Sequence, residues 1–528
     1  MMATHALTLS PAADGPQVGV MPLGTASNSL PAERAAAVVL SATPAGRSLF
    51  LTVFPSIMLP MFMAAVDQTI VATALPAIGG TLGDIERVSW VVVAYLVANT
   101  IAAPVYGRLG DMLGRKRMMF GALGVFMAAS LLCAASSSVL MLSFARLLQG
   151  VGGGGLMTLS QALIAEAVPP RQRGRYQGYL SGMYAAAATF GPVVGGWLTE
   201  RYGWPSVFLV NLPLGILAIV LVARLPAHPV RGGKMQFDVW GTVLFAAVIA
   251  PTLLALERAQ RFDRGALPVM GLLAALATVA LIMLLRQERR APAPLLPVQM
   301  FRKPGIWRTD LLAACVAAQT VSMVTFLPMY LQVVRGEGAA SSGLLLLPLT
   351  LGVALGSLFG GRTIARTGHT AILPSIGLAV SAVTLTGVAL FAPVLSNVAL
   401  IAALSVISLT TGPTMPVVQM TVQVVAGPQF LGAAAASVQF SRSVGAALGA
   451  ALVGAVLFAT LAARDPATAT SFTALVEQGP RVLAALPHVR RLLVQTEIAD
   501  AFRAAFLTIS AFTTGGLLLA WWLPVRRI

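Results

Sequence analysis

Apolar runs of about 20 residues recur along the chain from residue 48 to residue 524, and this repetition restricts the fold more than any other feature. A helix of about 20 residues, rising 1.5 Å per residue, matches the ~30 Å hydrocarbon core of a bilayer. Backbone polar groups in lipid must be satisfied internally, and helices do this. We therefore predict an all-α integral membrane protein with fourteen spanning helices, near 48–76, 88–107, 117–136, 139–165, 177–199, 206–224, 240–256, 267–285, 309–333, 341–361, 371–392, 397–425, 434–461 and 504–524.

The composition agrees with a chain whose main solvent is lipid. Hydrophobic residues make up 57% of the sequence and charged residues only 10%, whereas charged residues form about a quarter of a soluble domain. The net charge of +17 does not indicate nucleic-acid binding, because Lys116, Lys234 and Lys303 all lie in short breaks between apolar runs. Cys133 and Cys315 lie within apolar runs and are expected to be buried thiols. No metal site and no cofactor is predicted.

The spacing of the runs divides the chain into six, two and six helices. This pattern predicts an N-terminal six-helix half over 48–224, two inserted helices over 240–285 and a C-terminal six-helix half over 309–524. Residues 1–47, rich in Ala, Pro, Gly and Ser, are expected to be a disordered tail. The segment 462–503 is expected to be an external loop, in which Leu483, Leu486, Val489, Leu492 and Leu493 have the spacing of an amphipathic helix.

The distribution of basic residues predicts the orientation. With the N-terminus inside, about 22 of the 35 Lys and Arg residues fall in cytoplasmic segments, as the positive-inside rule requires. We therefore expect both termini on the cytoplasmic side of the cell's cytoplasmic membrane.

The connection after the second run combines small and charged residues. Gly107 and Gly114 allow a tight turn, while Asp111 and Arg115 are close enough to form an ion pair. Such a connection can act as a latch between helix ends. A positively charged loop with incidental glycines would explain the basic residues but not this spacing.

Ionisable residues are rare inside the apolar runs: the arginines Arg146 and Arg442 lie within spans, and Asp67 lies at a depth similar to that of Arg146. We interpret Asp67 as the only acid deep within a span and place it about 28 Å from the inner end of its helix, with Arg146 about 10 Å from the outer end of its own. An ionised carboxylate in a low-dielectric medium costs several kcal/mol, so an acid here can load and release a proton unless it is paired. The alternative interpretation is a structural acid that caps a neighbouring helix or is permanently paired with Arg146.

The fifth run contains Gly191, Pro192, Gly195 and Gly196. Proline removes a helical hydrogen bond and permits a bend, and the glycines let another backbone approach closely. The segment is expected to form a tight hinge or seal, although ordinary small-residue packing also accounts for its composition.

Together these segments resemble the major facilitator superfamily, and within it the fourteen-span drug:proton antiporters of multidrug-efflux type. The 107–117 connection resembles the family's glycine, aspartate and arginine loop. Residues 65–76 resemble its first-helix motif, and Arg146-Leu-Leu-Gln149-Gly150 resembles its fourth-helix motif. Gly191-Pro192-Val-Val-Gly195-Gly196 is similar to the antiporter signature, and the resemblance covers residues 48–524.

The resemblance implies two six-helix halves around a central cavity that opens alternately to each side. It also implies proton-coupled antiport that exports amphipathic, often cationic compounds, with Asp67 binding the proton and Arg146 tuning it. A dedicated exporter of one metabolite, siderophore or self-made antibiotic would carry the same motifs. The implied partners are protons, a small-molecule substrate and the bilayer. We expect a functional monomer that is not an enzyme, and leave open whether a periplasmic adaptor protein is needed.

Two departures from the family pattern concern the second half. The loop Gly360 to Gly368 lacks the acid of its counterpart, so any ionic latch there is expected to be weaker, and the span 434–461 has no acid. For the substrate cavity, we interpret a set of soft or polar side chains in the second half as candidate contacts: Gln319, Met323, Phe326, Gln419 and Met420.

Overall fold

A computed structural model of the chain describes residues 47–84, 87–225, 237–260, 267–292, 294–295, 298–465, 468, 472, 475 and 487–523. The chain divides into two compact units, residues 1–51 and 52–528, and the account below concerns the second. Most of the expected tail at 1–47 lies outside the described residues, as do Leu483 and Leu486.

Fourteen helices follow the fourteen predicted spans. The first six are α1 (Arg47–Leu82), α2 (Ser89–Leu113), α3 (Arg115–Ala134), α4 (Val139–Ala167), α5 (Pro170–Tyr202) and α6 (Ser206–Ala223). Two inserted helices are α7 (Val239–Gln260) and α8 (Leu267–Arg290). The last six are α9 (Pro304–Val333), α10 (Ala339–Thr367), α11 (Ile372–Phe391), α12 (Asn397–Ala426), α13 (Leu431–Arg464) and α14 (His488–Trp521).

Thirteen helices among the described residues are long and apolar enough to cross a membrane. Helix α5 has sufficient length, at 33 residues, but polar side chains near its start and small residues along it reduce its apolar character. The small residues allow close backbone contact with neighbouring helices, while Phe190, Val193 and Trp197 of the same helix are exposed.

The end of the chain differs from the sequence prediction. The last helix begins at His488 and runs without a break to Trp521, and α13 continues to Arg464. The described residues of the segment 462–503 are therefore mostly helical, and the sequence predicted an amphipathic helix within an external loop there. Its polar side chains, such as Arg490 and Asp500, interact with the neighbouring end of α13 at Asp465 and Arg464, so low hydropathy there does not mark a loop.

The two six-helix halves meet along two helix pairs, α2 with α13 and α5 with α10. Both pairs are tightest where glycine backbones touch, at Gly107 with Gly432 and at Gly174 with Gly361. These positions lie at the helix ends predicted to be cytoplasmic. The inserted helix α7 packs against both α2 and α13, where Phe245 lies 5.5 Å from Phe440 between ring centroids. The glycine contacts bring the two six-helix halves together at the predicted cytoplasmic end, so the protein is closed there.

Candidate functional site

Asp67 on α1 and Arg146 on α4 form an ion pair inside the N-terminal half. The Arg146 Nη1 atom donates to Asp67 Oδ2 at 2.5 Å. Asp67 is 0% exposed and Arg146 is 1% exposed, so water does not reach either side chain. The structure thus brings together the two residues that the sequence places at a similar depth.

Two amides complete the surroundings of the Asp67 carboxylate. Its Oδ1 atom accepts from Gln149 Nε2 at 2.9 Å and from Asn211 Nδ2 at 3.0 Å. Both amides also donate to the hydroxyl of Ser130 on α3, at 2.8 Å and 3.3 Å. The Asp67 carboxylate therefore accepts hydrogen bonds from three side-chain donors in this conformation.

The sequence patterns predicted no role for Gln149, Asn211 or Ser130. Gln149 was identified only as part of the fourth-helix motif. The available signal was that a hydrogen-bonding side chain inside an apolar helix must find a partner, and Asp67 was the evident acceptor.

Arg146 has further partners besides Asp67. Its Nε atom donates to the Val91 carbonyl at 3.2 Å, and its Nη1 atom also donates to Gln149 Oε1 at 2.7 Å. The guanidinium carbon lies 4.2 Å from the ring centroid of Tyr95, within cation–π distance. These contacts hold the arginine in place even when its bond to the carboxylate breaks.

The predicted latch residues also lie together, and the structure extends the cluster. Arg115 donates to Asp111 at 2.6 Å and to Glu166, at the end of α4, at 2.7 Å. The backbone N–H of Gly432, in the first turn of α13, points to both oxygens of Asp111 at 3.2 Å and 3.3 Å. Asp111 therefore links the two halves, a contact that motif spacing within one half does not reveal.

The glycines of this region have separate structural reasons. A Cβ atom on Gly107 would lie 2.6 Å from the carbonyl oxygen of Gly432, so any larger residue would push α2 and α13 apart. Gly114 joins α2 to α3 with φ of +93°, a conformation that favours glycine.

In α5 the three glycines of the motif differ in their surroundings. A Cβ atom on Gly191 would lie 2.1 Å from Thr69 Oγ1, and one on Gly195 would lie 2.5 Å from Thr73 Oγ1. Gly196 meets nothing within 4 Å. The helix continues through Pro192, so this segment packs closely against α1 rather than breaking.

The candidate substrate contacts are not brought together. Met323 and Phe326 belong to one apolar core of the C-terminal half, and Met420 belongs to another. The Gln319 amide nitrogen donates to Ser381 and Thr411, both at 3.3 Å, and Gln419 is buried. In this conformation these side chains pack within the half, because soft apolar residues fill helix interfaces as well as cavities.

Asp310 is a second buried acid and lies near the start of a span. Helix α9 begins at Pro304 and not near residue 309, so Asp310 is its seventh residue, and it is 5% exposed. Its Oδ1 atom accepts from Ser437 at 3.3 Å, and its Oδ2 atom has no hydrogen-bond partner among the described residues.

The fourteen-helix fold and the buried polar cluster define a polytopic membrane transport protein. The family model of the Major Facilitator Superfamily matches residues 57–450. The chain belongs to this superfamily.

Several curated proteins share the sequence over most of its length. An uncharacterised MFS-type transporter of Mycobacterium tuberculosis is 34% identical over 475 residues, which cover 89% of this chain and 68% of the relative. The multidrug transporter protein MdtP of Bacillus subtilis is 31% identical, covering 78% of this chain and 75% of MdtP. The efflux pump dotC of Dothistroma septosporum is 30% identical, covering 89% and 83%.

Two solved structures share the fold. The human organic anion transporter MFSD10 aligns with a TM-score of 0.60 at 14% identity, over 89% of this chain and 99% of that one. The proton:xylose symporter XylE aligns with a TM-score of 0.59 at 12% identity, over 92% and 98%. At these identities the likeness shows the fold alone.

Proposed function

We propose that the protein is a proton-coupled antiporter that exports amphipathic compounds across the cytoplasmic membrane, with both termini in the cytoplasm. The relatives named as a multidrug transporter and an efflux pump support export. The buried Asp67–Arg146 pair is the observation that carries proton coupling, because an acid at this depth is a proton-binding group once its pair opens.

In the proposed cycle, Asp67 is deprotonated and bonded to Arg146, Gln149 and Asn211 while the cytoplasmic end is closed, as in this structure. It binds a proton from the outer side when the pair opens and water is admitted, and it releases that proton to the cytoplasm after the cytoplasmic end has opened and cargo binds. Asp111 and Arg115 stabilise the state closed at the predicted cytoplasmic end, and Gly191 and Gly195 keep α5 against α1 throughout. Cargo and proton thus use different conformations of one protein.

The decisive variant is Asp67→Asn, which removes the charge and keeps the shape. We expect it to abolish dye efflux driven by a pH gradient in reconstituted vesicles while leaving the protein folded, because Arg146 keeps its bonds to Val91 and Gln149. Efflux and the accompanying proton flux are measured together with a panel of amphipathic dyes.

The matched control is Asp84→Asn, since this acid pairs with Arg87 and its side chain is 35% exposed. Its efflux should equal that of the unmodified protein. Unchanged pH-driven efflux in Asp67→Asn would exclude Asp67 as the coupling acid.

A further inference from the structure

Arg442 is a second arginine deep within a span, and the proposed proton site does not use it. It is the twelfth residue of α13, which places it about 17 Å from the start of that helix and near the middle of a ~30 Å hydrocarbon core. Its side chain is partly exposed, whereas Arg146 is fully enclosed.

The position of Arg442 is between the two halves. Its guanidinium carbon lies 5.7 Å from the ring centroid of Tyr184, which is on α5 of the opposite half. One turn earlier on α13, the Gln439 amide lies 3.9 Å from the sulfur of Met157 on α4. Arg442 therefore lies at the interface between the two halves.

No ion pair among the described residues includes Arg442. Asp67 is enclosed and bonded to Arg146, and Asp310 on the adjacent α9 is buried and bonded to Ser437. A guanidinium at mid-bilayer depth without a counter-ion is unfavourable, and buried cations in proteins are normally paired.

The side chains around Gln439, one turn from Arg442 on α13, are uncharged. Amide groups of Gln68, Asn99 and Gln439 converge on the Met157 sulfur at 3.9 to 4.0 Å. The Asn99 Oδ1 atom has no hydrogen-bond partner among the described residues. Thioether and aromatic surfaces accept apolar groups of varied shape, while amides can bind polar ones.

We infer that the cargo carries a negative charge, and that Arg442 is the residue that binds its carboxylate or equivalent acidic group. A guanidinium presents paired donors that match a carboxylate, and the bond is strong because both groups are charged. The Tyr184 ring contacts the apolar part of the same molecule. This inference deepens the proposed export function and replaces the expectation of cationic cargo with amphipathic organic anions.

The test uses three probes that differ only in the charge of one end: pyrenebutyrate, pyrenebutanol and pyrenebutylamine. Binding to the purified full-length protein in nanodiscs is measured by fluorescence, with empty nanodiscs subtracted. The unmodified protein should bind the butyrate about tenfold or more tightly than the alcohol, and the amine least. An equal affinity for the three probes, a preference for the amine, or no binding would overturn the inference.

Variants test whether Arg442 is the residue responsible for the preference for pyrenebutyrate. Arg442→Gln should weaken pyrenebutyrate binding about tenfold or more and leave pyrenebutanol within about twofold, and Arg442→Lys should retain part of the preference. The control Arg464→Gln, at the end of the same helix and paired with Asp500, should bind like the unmodified protein. A butyrate preference that survives Arg442→Gln would assign the acidic group to another residue.

These measurements use no gradient, so they do not depend on proton coupling. If Asp67→Asn keeps its efflux rate while the butyrate preference holds, the proposed coupling fails and the cargo inference stands. If Asp67→Asn stops efflux and all three probes bind equally, the proposed coupling stands and the cargo inference fails.

Discussion

At the scale of single residues, the ion pair of Asp67 and Arg146 is asymmetric. Without Asp67, the arginine still contacts the Val91 carbonyl, Gln149 and the ring of Tyr95. Without Arg146, the carboxylate keeps only two neutral amide donors and no positive charge. Asp67 and Arg146 therefore contribute differently to the stability of the protein.

We expect Arg146→Gln to lower the free energy of unfolding by about 3–5 kcal/mol, because it leaves a buried charge uncompensated. Asp67→Asn should lower the free energy of unfolding by a smaller amount. The double variant Asp67→Asn, Arg146→Gln should be more stable than the sum of the single effects predicts, which thermal unfolding in detergent will measure. Additive effects would mean that the pair does not form in the membrane protein.

At the scale of helices, the contact between α1 and α5 holds the segment that carries Asp67. Thr69, two residues after the acid, donates to the Ala187 carbonyl of α5 at 3.0 Å, and Gly191 leaves room for it. The motif in α5 therefore has a direct mechanical connection to the proposed proton site.

Gly191→Ala tests this connection, because its methyl group would overlap Thr69 Oγ1. We expect a loss of about 1–3 kcal/mol in stability and a clear fall in pH-driven efflux. Gly196→Ala is the matched control, since no atom lies within 4 Å of its Cβ position, and it should change stability by no more than about 0.5 kcal/mol. Equal behaviour of the two variants in unfolding and transport assays would contradict the packing role.

At the scale of the whole molecule, the two halves are joined at one end by a few polar and glycine contacts. Asp111 accepts from the Gly432 backbone and also binds Arg115, which in turn binds Glu166. The other joint, between Gly174 and Gly361, is made by backbone packing. The loop Gly360 to Gly368 of the second half lacks an acid. The charged latch therefore lies at the contact between α2 and α13, and the contact between α5 and α10 has no counterpart of Asp111 among the residues that the structure describes.

Asp111→Asn should shift the protein toward a conformation open at the predicted cytoplasmic end. A hydrogen bond to a charged group contributes about 1.5–3 kcal/mol, so the open population should rise about tenfold or more. Spin labels at Leu113 and Gln429, with Cys133 and Cys315 replaced, report the distance between α2 and α13. The same distance distribution as in Asp84→Asn would show that the Asp111 contact does not stabilise closure.

The sequence alone determined the class of fold, the succession of apolar helices and the similar depth of Asp67 and Arg146. Length and hydropathy are sufficient for the first two, because a bilayer of fixed thickness requires apolar helices of fixed length. Depth made a pair possible, since few charged side chains are tolerated inside a membrane, but only the structure shows the ion pair.

The tertiary structure decided what lies between segments that are distant in the chain. It showed Gln149 and Asn211 on the same carboxylate, the Gly432 backbone on Asp111, Asp310 within α9, and Arg442 facing Tyr184 across the two halves. It also showed that Met323 and Met420 are packed in separate cores. Hydropathy gives the depth of a residue in the bilayer, whereas the direction a side chain faces depends on which helices are neighbours.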